Sequence, residues 1–211
     1  MQNTNTLDWF EIFKACAEIL LSLVAIGISI KAIRQTKKQI ELSNKQQLMN
    51  RRLENYILAY GLIENFGVVK KSIDLTDLEK TLEQTIRNAV FRTDLLDMRM
   101  FSIPGDMDSY LNDINNKLTN MRESAKEITI IFNTQDAEPV SSFLENLSSF
   151  LLCGITCSIY FKAPKDKQKA IESDINKAKK ELINAYNITE AQYDLIIEKN
   201  AVENLLKQIK L

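Results

Sequence analysis

From Trp9 to Asn50 the chain reads WFEIFKACAEILLSLVAIGISIKAIRQTKKQIELSNKQQLMN. Stepping along it alternately by four and three residues gives Glu11, Ala15, Glu18, Ser22, Ala25, Ser29, Ala32, Thr36, Gln39, Ser43, Gln46 and Asn50. That alternation is a heptad seam, one face of a long helix. The seam has no bulky aliphatic residue and no Lys or Arg, and two carboxylates stand near its start. Inside a membrane, a small and polar face of this kind suits a helix–helix contact or the lining of a water-filled pore.

Ile19 to Ile30 is uncharged, which alone is shorter than the roughly 20 residues a bilayer crossing needs. The span suffices when Trp9 anchors at one interface with Glu11 and Lys14, and Lys31 snorkels at the other. Glu18 is then the one charge at depth, and its i, i+4 spacing from Lys14 predicts a partly neutralised pair. Opposite the seam, Ile12, Phe13, Cys16, Ile19, Leu20, Leu23, Ile26, Ile30 and Ile33 make a lipid-facing surface. A lone anchor has no need to segregate polar from aliphatic residues in this way, so the seam predicts homo-oligomerisation.

Asp8 and Glu11 stand where a signal peptide has a basic region, and no cleavage-like break follows, so a retained anchor is expected. Lys31, Arg34, Lys37 and Lys38 follow the apolar stretch. The positive-inside rule therefore puts the amino terminus outside and the bulk of the chain in the cytoplasm. Three unpaired cysteines agree with a reducing compartment.

Composition points the same way. The 211 residues include 5 Gly and 3 Pro, with 45% hydrophobic and 26% charged residues and a net charge of −1. Few breakers and abundant helix formers predict an all-α chain. The expected organisation is a tail and transmembrane helix over 1–34, a helical stalk over 35–66 and a cytoplasmic helical bundle over 67–211. Near-zero net charge gives no global attraction to nucleic acid, and no duplex partner is expected.

Within the bundle region, Gly67 with Lys70-Lys71-Ser72 suggests a loop, and Thr76 to Glu79 gives a capping box. Leu78, Leu82, Ile86, Ala89 and Val90 stripe the helix that follows. Ile103-Pro104-Gly105-Asp106 is a turn, and a heptad face from Leu111 to Phe132 predicts a helix over about 107–132. Pro139 suits the first turn of the next helix, about 140–162. The uncharged run Asn146–Phe161 reads as its buried centre, with a second membrane crossing as the alternative. Two amphipathic helices close the chain, the second expected to start at a capping box on Thr189.

No histidine is present, which removes Ser-His-Asp and Cys-His catalysis, His-containing zinc sites and histidine relays. Cys153 and Cys157 have i, i+4 spacing but no further ligands, and read as small apolar side chains. The five glycines are scattered, so there is no phosphate loop or dinucleotide fingerprint. Neither enzymatic activity, nor a cofactor, nor a metal site is expected. The candidate pore-lining residues are Glu11, Glu18, Ser22, Ala25 and Ser29. Arginine forks match phosphate geometry, so Arg51, Arg52, Arg87, Arg92 and Arg99 are the candidates for a nucleotide or oligonucleotide signal. The bland alternative for each is a solvated face.

The anchor, the stalk Thr36-Lys37-Lys38-Gln39-Ile40-Glu41 and then Arg52-Leu53-Glu54-Asn55-Tyr56 resemble the small single-pass proteins of bacterial anti-phage defence loci. Among these are the channel-forming effectors of nucleotide-signalled systems such as Hailong. The resemblance covers mainly Trp9–Tyr60 and is one of architecture. It implies an inner-membrane, homo-oligomeric effector that depolarises the membrane on infection. It carries over no ligand-binding residue. Two functions therefore stay open: a gated channel or membrane-perturbing effector, and a membrane-anchored interaction protein without a pore.

Overall fold

A computed structural model of the chain describes residues 5–71, 73, 107–132, 134–161, 163–164, 168 and 170–209. The protein is all-helical, with five helices and no strand among the described residues. They are α1 (Asn5–Lys70), α2 (Met107–Ile131), α3 (Thr134–Phe161), α4 (Glu172–Lys199) and α5 (Ala201–Ile209). The capping box at Thr76, the stripe from Leu78 to Val90 and the turn at Pro104 lie outside the described residues. So do Arg87, Arg92 and Arg99.

The chain divides into two compact units, Met1–Met49 and Asn50–Leu211. The first is the opening two-thirds of α1. Thirteen large apolar side chains between Trp9 and Ile33 lie bare on it, each 48–75% exposed. The second unit is a bundle that takes in the last part of α1 from Asn50 on, residues 50–66 of the expected stalk included. The reason is a change of face: Ala59, Leu62, Ile63, Phe66 and Val69 are all buried on the same side of α1.

Gly67 does not open a loop, because α1 continues through it to Lys70. A Cβ at residue 67 would run into the Tyr193 hydroxyl and come within 3.2 Å of Cζ. The glycine is there to let the α4 ring approach the helix backbone. Beside it, Phe66 is the centre of an aromatic cluster drawn from three helices. Its ring centroid lies 5.5 Å from Phe143, 6.5 Å from Phe150, 6.2 Å from Tyr186 and 5.5 Å from Tyr193.

In the core, α3 packs against α2, α4 and α5. Val140, Phe143, Leu144, Leu147, Phe150, Leu151 and Ile155 are buried along it, which accounts for the uncharged run. α3 is also long and apolar enough to cross a membrane, but half of that stretch is buried inside the bundle. It starts at Thr134, five residues ahead of Pro139, so the proline sits within the helix rather than in its first turn. Its far end at Phe161 is closed by Gln168, whose side-chain amide donates to the carbonyls of Phe161 (2.9 Å) and Ala163 (2.8 Å).

The capping box at Thr189 does not form. α4 runs unbroken from Glu172 to Lys199, and the Thr189 hydroxyl donates back to the Ala185 carbonyl at 2.8 Å. Thr189 is fully buried, and a new helix start there would expose it. The break comes instead at Asn200, in the left-handed conformation (φ 50°, ψ 36°), with its N–H on the Ile196 and Ile197 carbonyls. Asparagine is one of the few residues that adopts this helix-ending geometry cheaply.

Candidate functional site

The candidate pore-lining residues all lie in the first unit, on α1. On a helix of 3.6 residues per turn, Glu11, Ala15, Glu18, Ser22, Ala25 and Ser29 fall within an arc of about 80°. All are exposed. The first three seam hydroxyls repeat one hydrogen bond every seven residues. Ser22 Oγ donates to the Glu18 carbonyl (2.8 Å), Ser29 Oγ to Ala25 (2.8 Å) and Thr36 Oγ1 to Ala32 (3.0 Å). Each donor and each acceptor belongs to the seam itself. A hydroxyl bonded to its own helix is tolerated in hydrocarbon, because no donor is left unsatisfied. The face that results is narrow, small and internally satisfied, which is what close helix–helix packing needs.

Glu18 differs from its neighbours. The expected pairing with Lys14 is not made: neither side chain is in an ion pair among the described residues. The two seam carboxylates, Glu11 and Glu18, are thus the seam groups whose charge no neighbouring side chain among the described residues satisfies. Cys16 is exposed on the aliphatic side, away from the seam.

The bundle disposes of the second candidate site differently. Arg51 and Arg52 do not form a fork. Arg51 is exposed, 3.6 Å from the Glu127 carboxylate. Arg52 is half-buried: its Nε donates to the Ile131 carbonyl (2.8 Å) and its Nη1 to the Gln208 carbonyl (3.1 Å). The guanidinium also stands over the Phe132 ring, 5.8 Å from its centroid. Ile131 ends α2, and Gln208 is the penultimate residue of α5. One cation thus closes the negative ends of two helices, where unpaired carbonyls and the helix dipole favour positive charge. The partners are 79 and 156 residues away, so no local pattern announces them.

Next to this latch, Asp136 in the first turn of α3 accepts from Asn204 (3.1 Å) and Gln208 (3.2 Å) of α5. Two amides four residues apart thus hold one carboxylate at a helix N-terminus. At the other end of the α1 segment, Lys70 Nζ is 2.7 Å from Asp194 and 3.1 Å from Glu190, and 5.4 Å from the Tyr193 ring centroid. The Asp194 and Glu190 carboxylates raise the Lys70 pKa. Burial, then Glu190, pushes the Tyr186 hydroxyl up to about 12.

Burial also raises both bundle thiols, Cys157 to about 11. They are packed side chains with little thiolate character at neutral pH. Among the described residues, no three metal-ligating side chains cluster. The Arg52 latch and the Asp136 clamp are the polar centres that sequence reasoning missed. No family model, curated protein or solved structure matches this chain.

Proposed function

We propose that the chain is a single-pass membrane protein that self-associates through the α1 seam and holds the Asn50–Leu211 bundle at the cytoplasmic face. The observation that carries it is the contrast on one helix between thirteen bare apolar side chains and a strip of small, self-bonded residues. In water the apolar surface costs about 25 cal/mol per Å². Lipid removes that cost, and the seam then meets the same seam of another copy. Lys31, Arg34, Lys37 and Lys38 orient the anchor with its amino terminus outside.

The test is reconstitution of the full chain in lipid vesicles, with donor- and acceptor-labelled copies. The protein is expected to resist alkaline extraction and to show energy transfer that unlabelled protein competes away. Extraction as a soluble protein, or transfer absent at all protein-to-lipid ratios, would sink the reading.

Glu18 favours a second reading, a cation channel with the seam inward. A carboxylate at depth needs water or a partner, and a ring of them attracts cations. The nucleotide-gated defence role implied by the architectural resemblance attaches to this reading. Its check is conductance in planar bilayers with Glu18→Gln alongside: conductance that does not change with the substitution removes Glu18 from the pore.

A further inference from the structure

Beyond Asn50 the heptad alternation does not stop. It continues without a slip through Leu53, Ile57, Tyr60 and Glu64. What changes is its chemistry, from small and polar to apolar. In the structure Leu53, Ile57 and Tyr60 are 40%, 59% and 46% exposed, although they belong to the packed unit. The bundle is held by the other side of α1, through Ala59, Leu62, Phe66 and their neighbours. This segment therefore has two apolar faces, and one lacks a partner among the described residues.

We propose that a second copy of this chain covers that face, in a parallel contact that extends the α1 seam into the bundle. The step from Asn50 to Leu53 is three residues and from Leu53 to Ile57 four, which makes Asn50 and Ile57 a positions and Leu53 and Tyr60 d positions. β-Branched Ile at a with Leu at d favours two parallel strands, and a single Asn at a fixes their register. A strict seven-residue period also makes the helices that share it supercoil around each other. Among the positions flanking this stretch, Met49, Glu54, Tyr56 and Gly61, only one is charged, so like copies meet little repulsion. The stretch is too short to hold two chains by itself. It rests on the self-association proposed above and sets its register on the bundle side.

The test uses full-length protein in native membranes, with Cys16→Ala as background because Cys16 is the exposed thiol. Single cysteines are placed by Ile57→Cys, by Ser22→Cys in the membrane seam, and by Ile130→Cys on an exposed site of α2. After mild oxidation Ile57→Cys is expected to give a covalent dimer of the chain, and Ile130→Cys is not. A dimer at Ser22→Cys without one at Ile57→Cys overturns this contact and leaves the membrane seam standing. A dimer at Ile57→Cys without one at Ser22→Cys overturns the membrane seam and, with it, this contact as an extension of that seam. Equal cross-linking at Ile57→Cys and Ile130→Cys, cross-linking of Ile57→Cys to a different protein, or cross-linking at none of the three sites overturns the contact.

Discussion

At Arg52, one side chain holds together helices that are far apart in sequence. Its two hydrogen bonds to helix-end carbonyls are charge-assisted and half-buried, a class worth about 1.5–3 kcal/mol. Arg52→Ala is expected to lower bundle stability by about 2–3 kcal/mol, with α2 and α5 left uncapped. Arg51→Ala, which breaks only an exposed pair, should stay within about 0.5 kcal/mol. Denaturant midpoints of the two variants in one detergent measure the difference. Gly67 makes a second contrast. Alanine there improves helix propensity yet displaces the Tyr193 ring, so Gly67→Ala is expected to cost about 1–3 kcal/mol. Removing the hydroxyl in Gly67→Ala/Tyr193→Phe should recover part of the loss. Gly61, with nothing within 4 Å of a Cβ, should instead gain up to about 1 kcal/mol on Gly61→Ala.

Among the elements, the docking of α1 on α4 carries the pH dependence. Lys70 and Tyr186 both hold their protons more tightly in the folded bundle than in the unfolded chain. Their contribution is therefore complete below the unfolded value of 10.0 for Tyr186, and is lost as pH rises through the folded value of about 12. Melting temperature is expected to fall steeply between pH 10 and 12. Tyr186→Phe should flatten that fall while changing little at pH 7, since the hydroxyl's bond to Glu190 is long at 3.3 Å. An equally steep fall in Tyr186→Phe would place the alkaline transition elsewhere. The same docking explains two boundaries. α1 runs past Gly67 because Phe66 and Val69 are core residues, and α4 runs past Thr189 because the α4 stripe stays buried on both sides of it.

For the whole molecule, the question is which solvent each unit requires. The bundle buries its own apolar residues, whereas the first unit buries almost none. A lysine in the middle of a span costs about 2.5–3.5 kcal/mol on insertion scales. Ile26→Lys is therefore expected to move a measurable fraction of the protein from the membrane to the soluble fraction after lysis, while Ile130→Lys, on the bundle, leaves the distribution unchanged. Equal effects of the two substitutions would contradict a membrane role for α1. On the reading proposed above, the seam and the exposed Leu53–Tyr60 face form one self-association surface along α1.

Helix content, the apolar span and the heptad seam were legible in the sequence because each is a periodicity, carried by residues three and four apart. The heptad face of α2 and the buried centre of α3 were readable for the same reason. The two units, the latch at Arg52, the clamp on Asp136 and the purpose of Gly67 were not. Each depends on residues that meet only after the helices pack: Arg52 with Ile131 and Gln208, Asp136 with Asn204 and Gln208, Gly67 with Tyr193. Thr189 shows the limit most directly. Its local capping pattern was present, and burial of a continuous apolar face outweighed it. Local period determined which stretches are helices and which face of α1 is small and polar. Tertiary packing decided where those helices end and which charges became structural, because it alone sets which donors and carbonyls lose water.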